Sequence, residues 1–482
     1  MRAPPSLLRQ LTRGLPGPAP QRSFVTSARR LQVNYVNTLK QSNPALQPEA
    51  ANSSLQDEAL KTPELSREWY ATRNGGSDLK PFTLEVTTPA SAQETPLGIS
   101  FAAPGVPEKS LEWAYLRDLC KCPQCVDRHS KQRSFRTNDI PANIRPRHVK
   151  WDGQHLEIQW ATDTPGASPD HMSRWHHSYL LNPTINTHSL VPRSKRPTIW
   201  DRKSMNKLQH WVSYEDYLTD NSKMAASMRN LQRMGLIFIK DIPESREAVE
   251  KIATRMGPLR NSFYGMTWDV RTVPKAKNVA YTSQFLDFHM DLMYMNEPPG
   301  YQLLHCLQNS CEGGESLFAD SFRIADIMKQ DRPEMYNELT ERTLGYEYVH
   351  EDQTYYNRRP VFELDEETKI LRHVNYSPPF QSALPVDKNN SFLPLKHALD
   401  YFTEMLGRKE NVFDLKLNPG ECVIFDNRRI VHARRQFNTA TGSRWLAGAY
   451  VDTDALLSRF AVTERKYPDV WRDTDPMIGT QN

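Results

Sequence analysis

From about residue 211 the chain breaks into short apolar runs, each closed by Gly, Pro or Asn, and this rhythm limits the fold more than any other feature. Runs of this length suit strands, and only a few stretches are long enough for helices. Ser222 to Met234, Arg246 to Met256, and segments near 323–341 and 393–407 carry helical patterns, as does Trp211 to Leu218. Gly235-Leu236-Ile237-Phe238-Ile239-Lys240 is a buried-strand candidate. Short strands with a few helices predict an α+β catalytic domain built on a double-stranded β-helix (jelly-roll), over 211–470.

The N-terminal half is organised differently. Residues 81–190 hold short β-like runs, Phe82 to Val86 and His155 to Trp160, and are expected to form a small β-rich domain. Residues 32–80, rich in Asn, Ser, Gln, Pro and Glu, read as disordered linker, and 191–210 as a Pro-, Ser- and Arg-rich connector. Residues 1–31 contain six arginines and no acid, the composition of a mitochondrial transit peptide directing the chain to the matrix. Those arginines account for the net charge of +4 and leave the remainder at −2, so no nucleic-acid-binding surface is implied. No run approaches 18 apolar residues, which argues against a membrane-spanning helix.

Three of the six cysteines are crowded into Cys120, Cys122 and Cys125. In a protein that is not secreted, such crowding points to metal rather than to disulfides. A structural zinc needs four N or S ligands, and on spacing alone His129 is the nearest fourth.

A second metal pattern lies downstream. His289-Met290-Asp291 has the His-x-acid form of a non-haem iron site, in which two His and one carboxylate bind one face of the metal. On a strand, residues i and i+2 share a face, so both side chains reach one ion. His350-Glu351-Asp352 repeats the form, but only the first copy has the right sequel. Asn418-Pro419-Gly420 turns into the run Cys422 to Phe425, which leads through Asp426-Asn427 to His432, and Arg444 follows. In this architecture the later His completes the iron site, and the Arg binds the far carboxylate of 2-oxoglutarate by a forked ion pair. Arg434 and Arg435 lie too close to His432 to take that place.

Several phrases resemble the γ-butyrobetaine/trimethyllysine hydroxylase family of Fe(II)/2-oxoglutarate oxygenases, over roughly 85–460. They are Asn278 to Thr282, His289 to Asp291, Pro298 to Cys306, Gly313 to Ser316, Phe425 to Asn427 and Gly448 to Asp452. The resemblance implies hydroxylation of γ-butyrobetaine to L-carnitine. Trimethyllysine or another quaternary-ammonium carboxylate is the alternative substrate, and a non-catalytic interaction scaffold the alternative role. It implies a catalytic set of His289, Asp291 and His432, with Arg444 and Leu304 at 2-oxoglutarate. It implies an ammonium cage of Tyr264, Trp268, Tyr281 and Tyr450, since aromatic faces attract a cation that offers no hydrogen bond. Asn278 and Asn375 would meet the substrate carboxylate. Arg271 stands where a further aromatic would be comfortable, and would have to turn outward. For zinc the resemblance favours His171 over His129. Iron(II), 2-oxoglutarate, O₂, ascorbate and a structural zinc are the implied cofactors and co-reactants, and a second copy of the chain is an expected partner.

Overall fold

The computed structural model describes residues 83–86, 91–94, 98–103, 106–181, 197–271, 282–386 and 391–472. The expected transit peptide and linker, 1–31 and 32–80, lie outside them. The chain divides into two compact units, Met1–His177 and Ser178–Asn482.

The first unit is β-rich. Thr83–Val86, Pro146–Trp151, His155–Trp160 and Met172–His176 form a four-stranded sheet in that order, and Ser91–Glu94, Gly98–Ala103 and Val106–Glu112 a three-stranded one. Alternation in His155–Trp160 buries Leu156, Ile158 and Trp160 on one face. The helix Trp113–Asp118 follows the last strand of the smaller sheet and buries Trp113, Leu116 and Arg117.

The second unit is built on two sheets. The six-stranded sheet runs Thr267–Arg271, Arg444–Val451, Tyr301–Asn309, Cys422–Asp426, Leu236–Lys240, Trp211–Ser213; the four-stranded sheet runs Leu286–His289, Ile430–Arg434, Ser316–Asp320, Phe413–Leu415. Strands 267–271, 286–289, 301–309 and 316–320 alternate between the sheets, as do 413–415, 422–426, 430–434 and 444–451. This is the winding of a jelly roll. Phe238, Leu304, Val423, Phe425 and Leu446 of the larger sheet share one core with Phe318, Phe413 and Ile430 of the smaller.

Helices cover both outer faces. Ile237, Leu303 and Ile424 pack with Met228, Ile252 and Phe460 from helices Asn221–Met234, Ala248–Met256 and Thr453–Lys466. Leu317 and Val431 pack with Ile324, Leu339 and Phe402 from Ser321–Asp331, Pro333–Glu341 and Leu393–Gly407.

Local chemistry corrects some expectations. The helix expected from Trp211 starts at Tyr214, because the Ser213 side chain caps it by accepting from the Asp216 N–H. Trp211–Ser213 instead pairs in parallel with Phe238 to Lys240 at the sheet edge. The expected helix near 323–341 is two helices, with Pro333 at the first position of the second. The described part of the expected connector is not a connector. Trp200 and Met205 are buried in the core between the sheets, and the Trp200 indole donates to the Met234 carbonyl at 2.8 Å.

Candidate metal centres and active site

The antiparallel pairing of Leu286–His289 with Ile430–Arg434 sets His289 directly opposite His432. Their ring centroids lie 4.2 Å apart. Asp291 Oδ1 is 3.5 Å from His289 Nε2 and 3.9 Å from His432 Nε2. One ligand atom from each of the three residues falls within 4.8 Å of the others.

The reason Asp291 joins them differs from the expectation. The strand ends at His289, so the same-face rule does not place the carboxylate. Asn427 does. Its Oδ1 accepts from the Asp291 N–H at 2.8 Å, and its Nδ2 donates to the Asp291 carbonyl at 3.0 Å and to that of Pro299 at 3.1 Å. Sequence reasoning noticed the Phe425-Asp426-Asn427 phrase without this role.

The protonation states suit a cation. His289 Nδ1 lies 2.7 Å from the Asp287 carbonyl, which can only accept, so Nδ1 is the donor there and Nε2 is the atom turned toward Asp291. Burial drives the His432 imidazole down to about 3, so it is neutral. Burial pushes the Asp291 carboxyl up, but its polar neighbours, His289 first, then His432 and the Tyr450 hydroxyl, outweigh it and hold the carboxyl well below the usual range. A neutral His432, a His289 oriented with Nε2 toward the site and an ionised carboxylate make a two-His, one-carboxylate donor set, so these residues fit iron(II).

The three line one cavity, together with Arg444, Leu304, Gln302, Ser316, Trp268 and Tyr450 among others. Arg444 is 8% exposed, and its Nε has no hydrogen-bond partner among the described residues. A buried guanidinium with an unused donor is a ready seat for a carboxylate. Arg434 also lines the cavity, which sequence reasoning had set aside on spacing. It donates to the carbonyls of Thr282 and Gln284, both at 2.8 Å. Arg435 is exposed and lies 3.8 Å from Asp414.

The aromatic residues gather at the same cavity. Trp268 and Tyr450 stack with centroids 3.9 Å apart, and Tyr264 lines the wall. Phe380, on the turn Pro378–Phe380, lines it too and was missed in the sequence. Tyr281 and Asn278 lie outside the described residues. Asn375 is a correction: it is fully buried and does not line the cavity. Its Nδ2 donates to the Pro360 carbonyl at 2.9 Å and to Glu363 at 3.1 Å, and its Oδ1 accepts from Arg428 at 2.8 Å. That leaves it no donor for a substrate. Arg271 does turn outward, its guanidinium 3.8 Å from the Trp445 ring centroid.

The cysteine cluster forms a second centre. Cys120 Sγ and Cys125 Sγ lie 3.5 and 3.3 Å from His171 Nε2, and Cys122 completes a group of four. His129 is exposed and outside that group. Asp163 grips the far side of the ring, Oδ2 to His171 Nδ1 at 2.6 Å, and is itself held by Arg117 Nε at 2.5 Å. Burial raises the Asp163 carboxyl, but hydrogen bonds from His171 and Arg117 prevail and keep it below its ordinary value. The carboxylate fixes the tautomer that turns Nε2 toward the sulfurs, and three thiols with one imidazole fit zinc.

Comparisons with known proteins agree with this geometry. Residues 201–450 match the model of the taurine catabolism dioxygenase TauD, TfdA family, and 90–168 that of the gamma-butyrobetaine hydroxylase-like N-terminal domain. The chain is 32% identical to Dioxygenase str8 of Strobilurus tenacellus over 369 residues, 73% of this chain and 85% of that one. It is 28% identical to the gamma-butyrobetaine dioxygenase of Homo sapiens over 369 residues, 73% of this chain and 90% of that one. It is also 28% identical to the human mitochondrial trimethyllysine dioxygenase over 356 residues, 72% and 81% of the two chains.

Proposed function

The chain belongs to the TauD, TfdA dioxygenase family, in its γ-butyrobetaine dioxygenase-like branch, and on that footing we propose that it hydroxylates a small molecule joining a quaternary ammonium to a carboxylate, γ-butyrobetaine first. The observation that carries this reading is the stacked Trp268–Tyr450 pair in the same cavity as His289, Asp291 and His432.

Iron(II) with 2-oxoglutarate and O₂ supplies the oxidising chemistry, and ascorbate serves as the reductant that keeps the metal ferrous. His289, Asp291 and His432 hold the ion from one side. Arg444 pairs with the outer carboxylate of 2-oxoglutarate, and Leu304 packs beside it. Trp268, Tyr450 and Tyr264 present aromatic faces to the ammonium and so orient the carbon chain toward the metal. The apolar lining from Leu286, Leu292, Phe380 and Leu446 keeps water from the reacting atoms.

The thiolates of Cys120, Cys122 and Cys125 with His171 hold a zinc that has no open position and serves folding. A mitochondrial matrix location is supported by the arginine-rich, acid-free residues 1–31 and by the mitochondrial trimethyllysine dioxygenases among the relatives.

Trimethyllysine is the second reading, because its dioxygenase is as similar in identity as the butyrobetaine enzyme. A substrate panel with iron(II), 2-oxoglutarate and ascorbate, read by succinate release, separates the two. We expect the greatest stimulation with γ-butyrobetaine. Greater stimulation by trimethyllysine would move the substrate assignment, and no stimulation by any quaternary ammonium would reject the cage.

A further inference from the structure

We infer that Tyr450 is a positioning residue for the metal carboxylate, its hydroxyl holding Oδ2 of Asp291 so that Oδ1 alone faces the two imidazoles. The inference rests on the metal-centre reading above and gives the aromatic wall a second task.

The two oxygens of Asp291 are divided. Oδ1 is the atom within 3.5 and 3.9 Å of the two His Nε2 atoms. Oδ2 accepts from the Tyr450 hydroxyl at 2.6 Å. An oxygen engaged in a short hydrogen bond to a buried phenol is poorly placed to swing onto a metal. The carboxylate is therefore set for binding through one oxygen, which leaves room for a two-oxygen co-substrate on the open face.

The phenol cannot drift. Tyr450 is 2% exposed, and its ring is stacked on the Trp268 indole. Trp268 sits opposite Gly448 in the paired strands Thr267–Arg271 and Arg444–Val451. A Cβ at residue 448 would meet the indole at 2.4 to 2.6 Å, so the indole lies over a strand position that only glycine leaves open. Gly448, Trp268, Tyr450 and Asp291 form a continuous stack from strand to carboxylate. A ligand pressed against the Trp268–Tyr450 wall therefore bears on the same phenol that steadies the metal ligand. Cage and metal are coupled through one side chain, and such coupling acts equally in both directions.

The test uses the full chain and Mn(II) as an inert stand-in for iron(II), titrated calorimetrically without substrate. Tyr450→Phe keeps the ring and deletes the hydroxyl. Trp268→Phe keeps both the hydroxyl and a ring stacked on it. We expect Tyr450→Phe to weaken Mn(II) binding by about tenfold or more, the usual effect of removing a group that orients a ligand. Trp268→Phe should stay within about twofold of wild type. Equal Mn(II) affinity in Tyr450→Phe and wild type overturns the inference while leaving the metal centre standing. Equal loss in both variants also overturns it, by assigning the effect to packing. Wild type that binds no Mn(II) removes the metal centre, and this inference with it.

Discussion

Asn427 holds the backbone of Asp291 from both sides, accepting its N–H at 2.8 Å and donating to its carbonyl at 3.0 Å across 136 residues of chain. A single buried amide thus links the turn after Leu286–His289 to the corner between Cys422–Asp426 and Ile430–Arg434. Asn427→Ala should cost about 2–3 kcal/mol of stability, because it strands buried backbone groups that have no water to turn to. Urea denaturation measures the loss. A change below about 0.5 kcal/mol would mean the turn is held by something else.

The aromatic wall predicts a split between kinetic constants. Trp268→Ala removes a face worth about 2 kcal/mol toward a desolvated ammonium. KM for a cationic substrate should rise at least tenfold, while KM for 2-oxoglutarate changes little. Steady-state kinetics with each substrate varied in turn reads both. An unchanged cationic KM would reject the wall as the ammonium site.

Arg444 carries a different prediction. A lysine cannot reproduce a forked pair with a carboxylate. Arg444→Lys should raise the Kd of 2-oxoglutarate for the Mn(II)-loaded protein by about tenfold, a loss of one charge-assisted hydrogen bond's magnitude. Arg434 has two carbonyl partners, so Arg434→Lys tests whether the neighbouring guanidinium shares the load. If Arg434→Lys weakens 2-oxoglutarate more than Arg444→Lys, the roles are exchanged.

At the cysteine centre, Asp163→Asn keeps the shape but removes the charge behind His171. Zinc affinity should fall by about ten- to a hundredfold, as it does when such outer partners are lost. Competition against a colorimetric chelator measures it. Stripping zinc from the wild type should lower the melting temperature of the first unit; an unchanged melting profile after complete removal would deny the metal a folding role.

The strand Tyr301–Asn309 contains a fully buried histidine, His305, whose ring nitrogens have no partner among the described residues. Burial pushes it down to about 4 from 6.5. The native state therefore refuses a proton that the unfolded chain accepts, so stability falls as pH drops from about 6.5 toward 4. His305→Leu should flatten that part of the stability profile, by up to about 3 kcal/mol at pH 4. Denaturation midpoints at several pH values decide it, and a parallel profile for the two proteins would contradict the assignment.

The two side-chain clusters were legible because their chemistry leaves a local mark. His289, Asp291, His432 and Arg444 sit in short phrases whose order fixes their meaning, and three cysteines within six residues announce a metal. The short-strand rhythm likewise pointed to the jelly roll. What the sequence hid was long-range satisfaction of polar groups. Asn375 looked available for a substrate, yet Arg428, Glu363 and Pro360 consume it. Spacing alone offered His129, whereas the resemblance favoured His171, and the pairing of Met172–His176 with His155–Trp160 brings that residue, just before the strand, to the cysteines. The role of Asn427 was hidden because its partners, Asp291 and Pro299, lie more than a hundred residues away, and Phe380 stood out by no local pattern.

The central claim is that His289, Asp291 and His432 share one iron(II) that also accepts 2-oxoglutarate. Anaerobic addition of both to the purified chain should produce the weak visible charge-transfer absorption of an iron-bound 2-oxo acid, and His432→Ala should abolish it. No band in the wild type, or an equal band in His432→Ala, would contradict the account.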